Sequence, residues 1–332
     1  MPAASVVRPD GSSVGSTDKP RKYGRVARLA AAFGEEAADR LAEATIAVIG
    51  AGGTGSPALE VLARAGVGHL IAVDPDSFSE SNLERVHGST AADVRPRSSS
   101  PTPKVQIAYR HLTAINPQLR ITAIQGRIPQ PEVIDALVHA NVVIGCTDQQ
   151  HSRLALSDLA VRYLVPAIDC GVSLEGKGGR VTGQVIQLVR LEPSDPCVLC
   201  RQMTNAARVA QELMSDEERD RRRAMAARAR ERGEPDEGYW QDEPQLNTVG
   251  YLTTAAGALA AGYAIGWVTG RFEPPFARLQ MNLSAPYFDV TDDRISTRAD
   301  CTCSRMRGTG DQGIADAFVT VPFHWPPAHV RS

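Results

Sequence analysis

The chain lacks several of the features that mark particular classes of protein. Its 332 residues include 36 basic and 38 acidic side chains, so no overall positive field points to nucleic acid. Six cysteines in a chain of this length do not make a disulfide scaffold. The N-terminus lacks an apolar signal-peptide core, so we expect a cytoplasmic protein. In a reducing cytoplasm, paired cysteines favour metal binding or chemistry over disulfides.

One stretch is poor enough in charge to resemble a membrane span. Residues 249–270 carry no charged side chain, and this length could cross a bilayer. About half of the stretch is alanine and glycine, however, and it also contains threonine. We therefore expect a buried helix, with no membrane partner, whose small residues let neighbouring backbones approach. A membrane helix is the alternative.

The order of apolar segments predicts a doubly wound, Rossmann-like and mostly parallel sheet. It continues into an antiparallel C-terminal sheet, because residues 180–190 alternate like a strand. A loop is expected at 91–103 and a charged helix at 204–233, either solvated or acting as a mobile flap or docking arm. The other expected strands are 46–49, 69–73, 120–125, 141–146 and 165–169, and the other expected helices are 25–44, 55–66, 104–115, 131–139 and 152–163.

A glycine-rich turn follows the first predicted strand directly. Gly50, Gly52 and Gly55 form Gly-x-Gly-x-x-Gly, with Gly53 between the last two. Such a turn lets backbone N–H groups approach a phosphate, and the next helix points its N-terminus at the negative charge. Asp74 ends the second strand, where a carboxylate can accept hydrogen bonds from ribose hydroxyls. The pattern predicts a bound nucleotide, and a structural helix-packing turn is the alternative.

Charged residues further along the chain favour a triphosphate over a dinucleotide. The basic pair Arg85 and Lys104 suits the higher charge of a triphosphate. Asp148 follows the 141–146 strand and faces the same crevice, where it could hold Mg²⁺ that bridges phosphates. Hydride transfer needs none of these three residues. The alternative for Arg85 and Lys104 is a pair of ordinary surface charges.

These residues belong to a larger set of motifs in a fixed order. Over most of residues 21–304 the chain resembles the ThiF/MoeB/ubiquitin-activating (HesA/MoeB/ThiF) family of adenylyltransferases. The resemblance implies attack of a C-terminal carboxylate on the α-phosphate of ATP, giving an acyl-adenylate and pyrophosphate. The matching motifs are Gly-Ala-Gly-Gly-x-Gly-Ser (50–56), Ala-Gly-Val-Gly (65–68), Val-Asp-x-Asp (73–76), Ser-Asn-Leu-x-Arg (81–85), Pro-Lys (103–104), Ile-Asn-Pro (115–117) and Cys-Thr-Asp (146–148).

The resemblance also implies roles for individual residues. Gly53 would lie against the nucleotide and Asp74 would hold the ribose, while Asp148 would be the Mg²⁺ ligand and the indispensable acid. Tyr23-Gly24-Arg25 resembles the family's Tyr-x-Arg, so Arg25 would reach into the ATP site of a partner subunit in a homodimer. The triphosphate would be bound by Asn82, Arg85 and Lys104, and the nucleotide site as a whole also includes Gly50, Gly52, Gly55, Asp76 and Ser81.

Two cysteine pairs predict a second metal site. Cys197-x-x-Cys200 and Cys301-x-Cys303 could together give a closed tetrahedral S₄ site, which is typical of structural zinc. The family often has Cys-x-x-Cys twice, so the second pair here is one residue shorter. Such a zinc ion would tie the end of the chain to the 190–200 loop. Four free or oxidisable thiols are the alternative.

A cysteine is missing where family members that pass their substrate on carry one. The family segment resembles Cys-x-x-Ala-Gly, but residues 246–250 read Leu-Asn-Thr-Val-Gly and no cysteine occurs between 201 and 300. We therefore expect no thioester or persulfide step there. Cys146 is predicted to be a small buried hydrophobe. Cys170 could be reactive, although an inert thiol is favoured, and His87 is expected to be a structural hydrogen-bonder rather than a catalyst.

The sequence thus predicts an ATP-dependent adenylyltransferase. Its substrate would be the C-terminus of a ubiquitin-like or sulfur-carrier protein, or a short peptide. The alternatives are a non-catalytic nucleotide-binding interaction module and an NAD-dependent dehydrogenase. The expected organisation is a disordered tail (1–20), a nucleotide-binding α/β domain (21–172), a C-terminal substrate-binding and dimer part with a charged helical insert at 204–240 and the zinc site (173–308), and a second tail (309–332).

Overall fold

The computed structural model describes residues 23–94, 100–236, 238, 240, 248–285, 287–291 and 296–331. The predicted tail at 1–20 lies outside these residues, as do positions 246 and 247 of the segment without a cysteine. The strands are β1 (Thr45–Ile49), β2 (His69–Val73), β3 (Arg120–Gln125), β4 (Val142–Gly145), β5 (Ala167–Lys177), β6 (Arg180–Leu191), β7 (Arg278–Asn282), β8 (Tyr287–Thr291) and β9 (His329–Arg331).

Helices connect and cover these strands. Short 3₁₀ helices lie at Gly24–Val26, Glu80–Asn82 and Gly310–Asp316. The α-helices are α1 (Ala27–Phe33), α2 (Glu35–Glu43), α3 (Gly55–Ala65), α4 (Ala91–Val94), α5 (Lys104–Ile115), α6 (Pro131–Leu137), α7 (Gln150–Arg162), α8 (Ala206–Glu212), α9 (Asp216–Glu231), α10 (Gly250–Thr269) and α11 (Cys303–Met306).

In the described part of the chain, the strands form one sheet in the order β8-β7-β6-β5-β4-β1-β2-β3-β9. Strands β1 to β5 pair in parallel, and β5 to β8 continue antiparallel, which confirms the predicted fold class. The boundary that we placed at 172 lies within β5, which is longer than the expected 165–169, and the sheet is continuous across it. Chain connections run in opposite directions from β1, toward β2 and toward β4, and ligands bind at such a reversal.

Helices cover both faces of the sheet, as its two hydrophobic clusters show. One cluster joins the sheet to α3, α5 and α10, and the other joins it to α6 and α7. Strands covered on both faces are apolar throughout, which is why the parallel strands lack a polar face.

Helix α10 is the long uncharged segment that we expected to be buried. By length and composition this helix could span a bilayer, but Ala256, Ala260 and Ala264 are fully buried in the core of this protein. A Cβ at Gly257 would overlap the carbonyl oxygen of Thr54, so α10 and the start of α3 approach each other closely. The small residues therefore serve close helix packing.

Three local expectations were wrong. The helix predicted at 25–44 is broken at Gly34, whose φ of +93° suits glycine and ends α1. The helix predicted at 204–233 is two helices, because the side chain of Ser215 accepts the backbone N–H of Glu218 and starts a second helix after the one that Asn205 caps. The loop predicted at 91–103 begins with α4, whose Asp93 carboxylate accepts the N–H of Thr90; residues 95–99 lie outside the described residues.

The last part of the chain, expected as a tail at 309–332, contributes to the sheet. After the 3₁₀ helix Gly310–Asp316, strand β9 pairs antiparallel with β3, with Val330 opposite Ile124. The pairing covers one edge of β3, which would otherwise present unpaired backbone groups.

Candidate active site

The glycine turn between β1 and α3 is tight because its neighbours leave no room for side chains. Gly50 has a φ of +93°, and a Cβ there would lie 2.7 Å from the carbonyl oxygen of Cys146. A Cβ at Gly55 would overlap the carbonyl oxygen of Gly50. At Gly53, a Cβ would lie 2.9 Å from Cδ of Arg85. Glycine at positions 50 and 55 lets the backbone of the turn pack closely. Glycine at position 53 lets the side chain of Arg85 lie against the turn.

The turn opens into a cavity of about 390 Å³ at the carboxyl ends of β1, β2 and β4 and beside the middle of β5. This volume lies in the range of small-molecule sites. Of the residues predicted for the nucleotide site, Gly55, Ser81 and Arg25 do not line it; Gly55 is buried at the start of α3, and Arg25 is exposed in the first 3₁₀ helix. The predicted residues that do line it are Gly50, Gly52, Gly53, Asp74, Asp76, Asn82, Arg85, Lys104 and Asp148.

Asp74 is held rigidly at the end of β2. Its carboxylate accepts the backbone N–H groups of Ala51, at 2.7 Å, and Asp76, at 2.8 Å. Burial raises the pKa of Asp74 to about 6, although Lys104 acts in the opposite direction. The ammonium nitrogen of Lys104 lies 4.0 Å from Asp74 and 2.8 Å from Asp76. This end of the cavity therefore presents a fixed carboxylate beside a cation.

Arg85 and Asn82 reach the cavity from the 3₁₀ helix Glu80–Asn82 and the turn after it. Nη1 of Arg85 donates a hydrogen bond to Oγ1 of Thr248 at 2.9 Å, which fixes the guanidinium beside the glycine turn. Oδ1 of Asn82 accepts the N–H of Ser79 at 3.2 Å as part of a capping box. Ser81 is exposed and its hydroxyl contacts that of Ser79 at 3.1 Å, so the side chain of Ser81 supports the loop.

Asp148 lies between β4 and α7 and lines the same cavity as Arg85. Its side chain is exposed and lines the cavity. Within the described ranges it takes part in no ion pair, so its oxygens are available to a cation. Carboxylate oxygens are ligands that Mg²⁺ accepts together with phosphate oxygens. The residues present therefore fit a magnesium ion bound with a nucleotide.

Three arginines that line the cavity were missed by sequence reasoning. They are Arg127 after β3, Arg153 on α7 and Arg208 on α8. Arg153 donates to Asp169 at 2.6 Å, and Arg208 contacts Glu212 at 3.3 Å. None belongs to a recognisable motif, and only the tertiary fold brings them together. Arg208 thus places the first helix of the charged insert at the wall of the cavity.

The other candidate side chains have structural surroundings. Nδ1 of His87 lies 3.0 Å from Glu60, and Nε2 lies 3.0 Å from the hydroxyl of Thr254, so His87 is a hydrogen-bonder outside the cavity lining. Cys170 lines the cavity but is buried. A hydrogen bond with Cys146, together with burial, raises the pKa of Cys170, which keeps its thiol neutral and unreactive.

The four paired cysteines form one buried cluster beside the C-terminal part of α7. The sulfur atoms of Cys197 and Cys301 are 3.6 Å apart, and those of Cys200 and Cys303 are 3.7 Å apart. A tetrahedral zinc ion with Zn–S bonds of about 2.3 Å places its sulfurs about 3.8 Å apart. Burial raises the pKa of Cys197 to about 11, a cost to the thiolate that a bound cation would offset. The shorter Cys301-x-Cys303 spacing still brings both of its thiols into the cluster, and the four cysteines fit a zinc ion.

Fold and site together define a doubly wound α/β protein with a phosphate-type glycine turn, a cation-lined cavity and a four-cysteine cluster. The chain belongs to the ThiF family, whose model matches residues 23–304.

Curated relatives match part of the chain. It is 35% identical over 142 residues to the sulfur carrier protein ThiS adenylyltransferase of Escherichia coli, covering 43% of this chain and 53% of the relative. It is 30% identical over 167 residues to the SAMP-activating enzyme E1 of Haloferax volcanii, covering 50% of this chain and 56% of the relative. The chain thus spans about half the length of these relatives.

Solved structures share the fold at low identity. E. coli MccB with AMPCPP and MccA gives a TM-score of 0.61 at 17% identity, covering 84% of this chain and 74% of that chain. PaaA gives a TM-score of 0.55 at 16% identity, covering 84% of this chain and 85% of that chain. At this identity the likeness shows the fold alone.

Proposed function

We propose that this protein activates a C-terminal carboxylate by adenylation with ATP. The observation that carries the proposal is that Arg85, Lys104 and Asp148 line one cavity with the glycine turn, although they come from separate parts of the chain. A triphosphate and a metal ion need this combination of backbone donors, cations and a carboxylate. Family membership supports the same conclusion.

The reaction follows from the charges in the cavity. An oxygen of the substrate carboxylate attacks the α-phosphorus of ATP, the bond from that phosphorus to the bridging oxygen breaks, and pyrophosphate leaves with the electron pair. Arg85 and Lys104 stabilise the negative charge that develops on the phosphates, and Asp74 positions the ribose. The turn at Gly52 and Gly53 admits the phosphates close to the backbone.

Asp148 would hold the magnesium ion. Bound there, the ion would neutralise phosphate charge and favour departure of pyrophosphate. The chain's own contribution is the Asp148 carboxylate just after β4, which lines the cavity with Arg85 and is free of ion pairs within the described residues.

The substrate is proposed to be the C-terminus of a ubiquitin-like or sulfur-carrier protein, or of a peptide. The names of the relatives support the proposal: one activates the sulfur carrier ThiS, a second activates SAMP, and MccB has been solved with MccA. A cavity open at the carboxyl ends of the strands suits a thin chain terminus.

Transfer would be left to another group. The sequence has no cysteine between 201 and 300, and Cys170 in the cavity is a neutral, buried thiol. We therefore propose that the protein makes the acyl-adenylate without forming its own thioester at the usual position.

Two further parts of the proposal concern assembly and stability. The four-cysteine cluster would hold a structural zinc ion. Arg25, exposed and outside the cavity of its own chain, would complete the ATP site of the second subunit of a homodimer.

ATP–pyrophosphate exchange tests the function directly. Wild type should exchange labelled pyrophosphate into ATP when a candidate C-terminal partner is present, and Asp148→Ala should abolish this. Asp135→Ala removes an exposed carboxylate on α6 and should leave exchange unchanged. ATP binding without exchange for any partner would support a non-catalytic binding module, and NADH binding without ATP binding would support a dehydrogenase.

A further inference from the structure

The chain beyond the family match packs beside residues that border the nucleotide cavity. The ThiF match ends at residue 304, but the chain continues along α7 and reaches the sheet edge at β9. Two hydrogen bonds fix this path: the N–H of Phe318 donates to Asp158 at 3.2 Å, and Nε2 of Gln130 donates to the carbonyl oxygen of Pro326 at 2.6 Å. The segment is therefore an ordered part of the fold beside the site.

Trp325 in this segment contacts two residues near the cavity. The guanidinium carbon of Arg127 lies 5.5 Å from the centroid of the indole ring, within the range of a cation–π contact. The indole also contacts the ring of His151, at a centroid distance of 5.4 Å. His151 is buried at the start of α7, so it gives Trp325 a fixed support.

Arg127 lines the cavity at the end where a base would lie. It follows β3, whose Gln125 donates a hydrogen bond to the carbonyl oxygen of Pro75, just after Asp74. If Asp74 holds the ribose, the base lies beyond it, over the ends of β2 and β3. Within the described residues Arg127 makes no ion pair, so its donors are not committed to a carboxylate.

A guanidinium in this position has two ways to recognise adenine. It can stack on the flat ring, and its N–H groups can donate to the ring nitrogens, which are acceptors. Both require the guanidinium plane to be held in place, since an arginine side chain otherwise has many rotamers. The indole of Trp325 provides that restraint from outside the cavity.

We propose that Trp325 is a positioning residue that holds Arg127 against the purine base of the bound nucleotide. The C-terminal segment outside the family match would then contribute to nucleotide binding through the position of Arg127. This inference rests on the proposed ATP site.

Calorimetric titration with two probes tests the inference. ATP carries the base, whereas inorganic tripolyphosphate carries only the phosphates. Arg127→Gln and Trp325→Ala should each weaken ATP binding by about three- to thirtyfold, the range of cation–π energies. Tripolyphosphate affinity should stay at the wild-type value. Trp325→Phe keeps a ring and should recover part of the loss.

The chain offers a matched control in a second arginine–tryptophan contact. Arg223 on α9 lies 4.8 Å from the ring of Trp240 and does not line the cavity. Arg223→Gln should leave both affinities unchanged. ATP should also alter the intrinsic fluorescence of wild type, and that change should shrink in Trp325→Phe.

The outcomes separate the inference from the proposed function. If Trp325→Ala binds ATP like wild type, or loses equal affinity for both probes, Trp325 has only a structural role and the inference is overturned. Should Trp325→Ala not fold, Trp325→Phe and Arg127→Gln decide by the same criteria. A wild-type protein that binds no ATP would overturn the proposed function itself.

Discussion

Glu212 on α8 caps α7, because its carboxylate accepts the backbone N–H of His151 at 2.8 Å. The same carboxylate accepts the N–H of Gln150 at 3.0 Å and contacts the ring of His151 at 3.1 Å. The first helix of the charged insert is thereby joined to the helix that follows Asp148. Side chains far apart in sequence together set the start of α7 and one wall of the cavity.

Removal of this cap should destabilise the protein. Glu212→Ala leaves two N–H groups of α7 without their partner, that of His151 buried and that of Gln150 half-buried. Such losses cost about 1–3 kcal/mol each when buried and unrelieved. We expect the free energy of unfolding in urea to fall by about 2–3 kcal/mol, and by less in Glu212→Gln, which keeps an acceptor. Glu217→Ala on the exposed face of α9 should change it by less than about 0.5 kcal/mol. If Glu212→Ala has the same free energy of unfolding as wild type, the cap does not contribute to stability.

The cap should also give the protein an acid-sensitive stability. Burial alone would raise the pKa of Glu212. The hydrogen bonds from His151 and Gln150 lower it by more than burial raises it, so the pKa lies below its ordinary value. A lowered folded-state pKa stabilises the protein above the pKa of the unfolded chain, and this contribution is lost as pH falls through the folded-state pKa. Unfolding midpoints measured from pH 7 downward should therefore fall less in Glu212→Gln than in wild type.

Asp74 should make ATP binding depend on pH near 6. Burial raises its pKa to about 6, so the carboxylate that would accept ribose hydroxyls is partly protonated below that pH. ATP affinity should rise as pH rises through about 6 in wild type and be flatter in Asp74→Asn, as measured by calorimetry. The free energy of unfolding should instead fall as pH rises over this range. Because the folded-state pKa is raised, the stabilisation from protonated Asp74 is lost between about pH 4 and pH 6.

A site residue could be predicted from the sequence where its local sequence context requires that residue type. Gly50, Asp74 and Asp148 were identifiable because strand ends and close backbone turns impose those residue types. Arg153 and Trp325 were not, since an arginine on a helix or a tryptophan near a chain end has no local signature. Their positions follow from which helix face packs on the sheet and from the pairing of β9 with β3.

The fold shows the same division. Parallel strands and their helices were predicted well because apolar runs and glycine turns are local signals. The break at Gly34 and the new helix start at Ser215 were missed, because each depends on one residue inside a helical pattern. The length of β5 was also missed, since its second half is stabilised by antiparallel pairing with β6.

Zinc removal should lower the melting temperature and leave the nucleotide site formed. All four sulfurs are buried, so loss of the ion leaves four desolvated thiols and frees the link between the 190–200 loop and α11. Each kcal/mol of lost stability shifts the melting temperature by about 2–4 °C in a large domain. Metal analysis should find one zinc ion per chain in wild type and much less in Cys200→Ser with Cys303→Ser. A metal-free wild type of unchanged stability would instead support four free thiols.

Arg25 is predicted to act in the partner's site, and mixing two inactive variants can show it. In Arg25→Ala both sites of a dimer lack the arginine, and in Asp148→Ala both lack the carboxylate, so each homodimer should be inactive in pyrophosphate exchange. A mixed dimer contains one site with neither defect, because the Arg25→Ala chain keeps its own Asp148 and receives Arg25 from the other chain. With random subunit exchange, about a quarter of wild-type activity should return. If Arg25 acted within its own chain, every site in the mixed dimer would lack one residue and no activity would return. Since Arg25 is exposed and does not line the cavity of its own chain, we expect the activity to return.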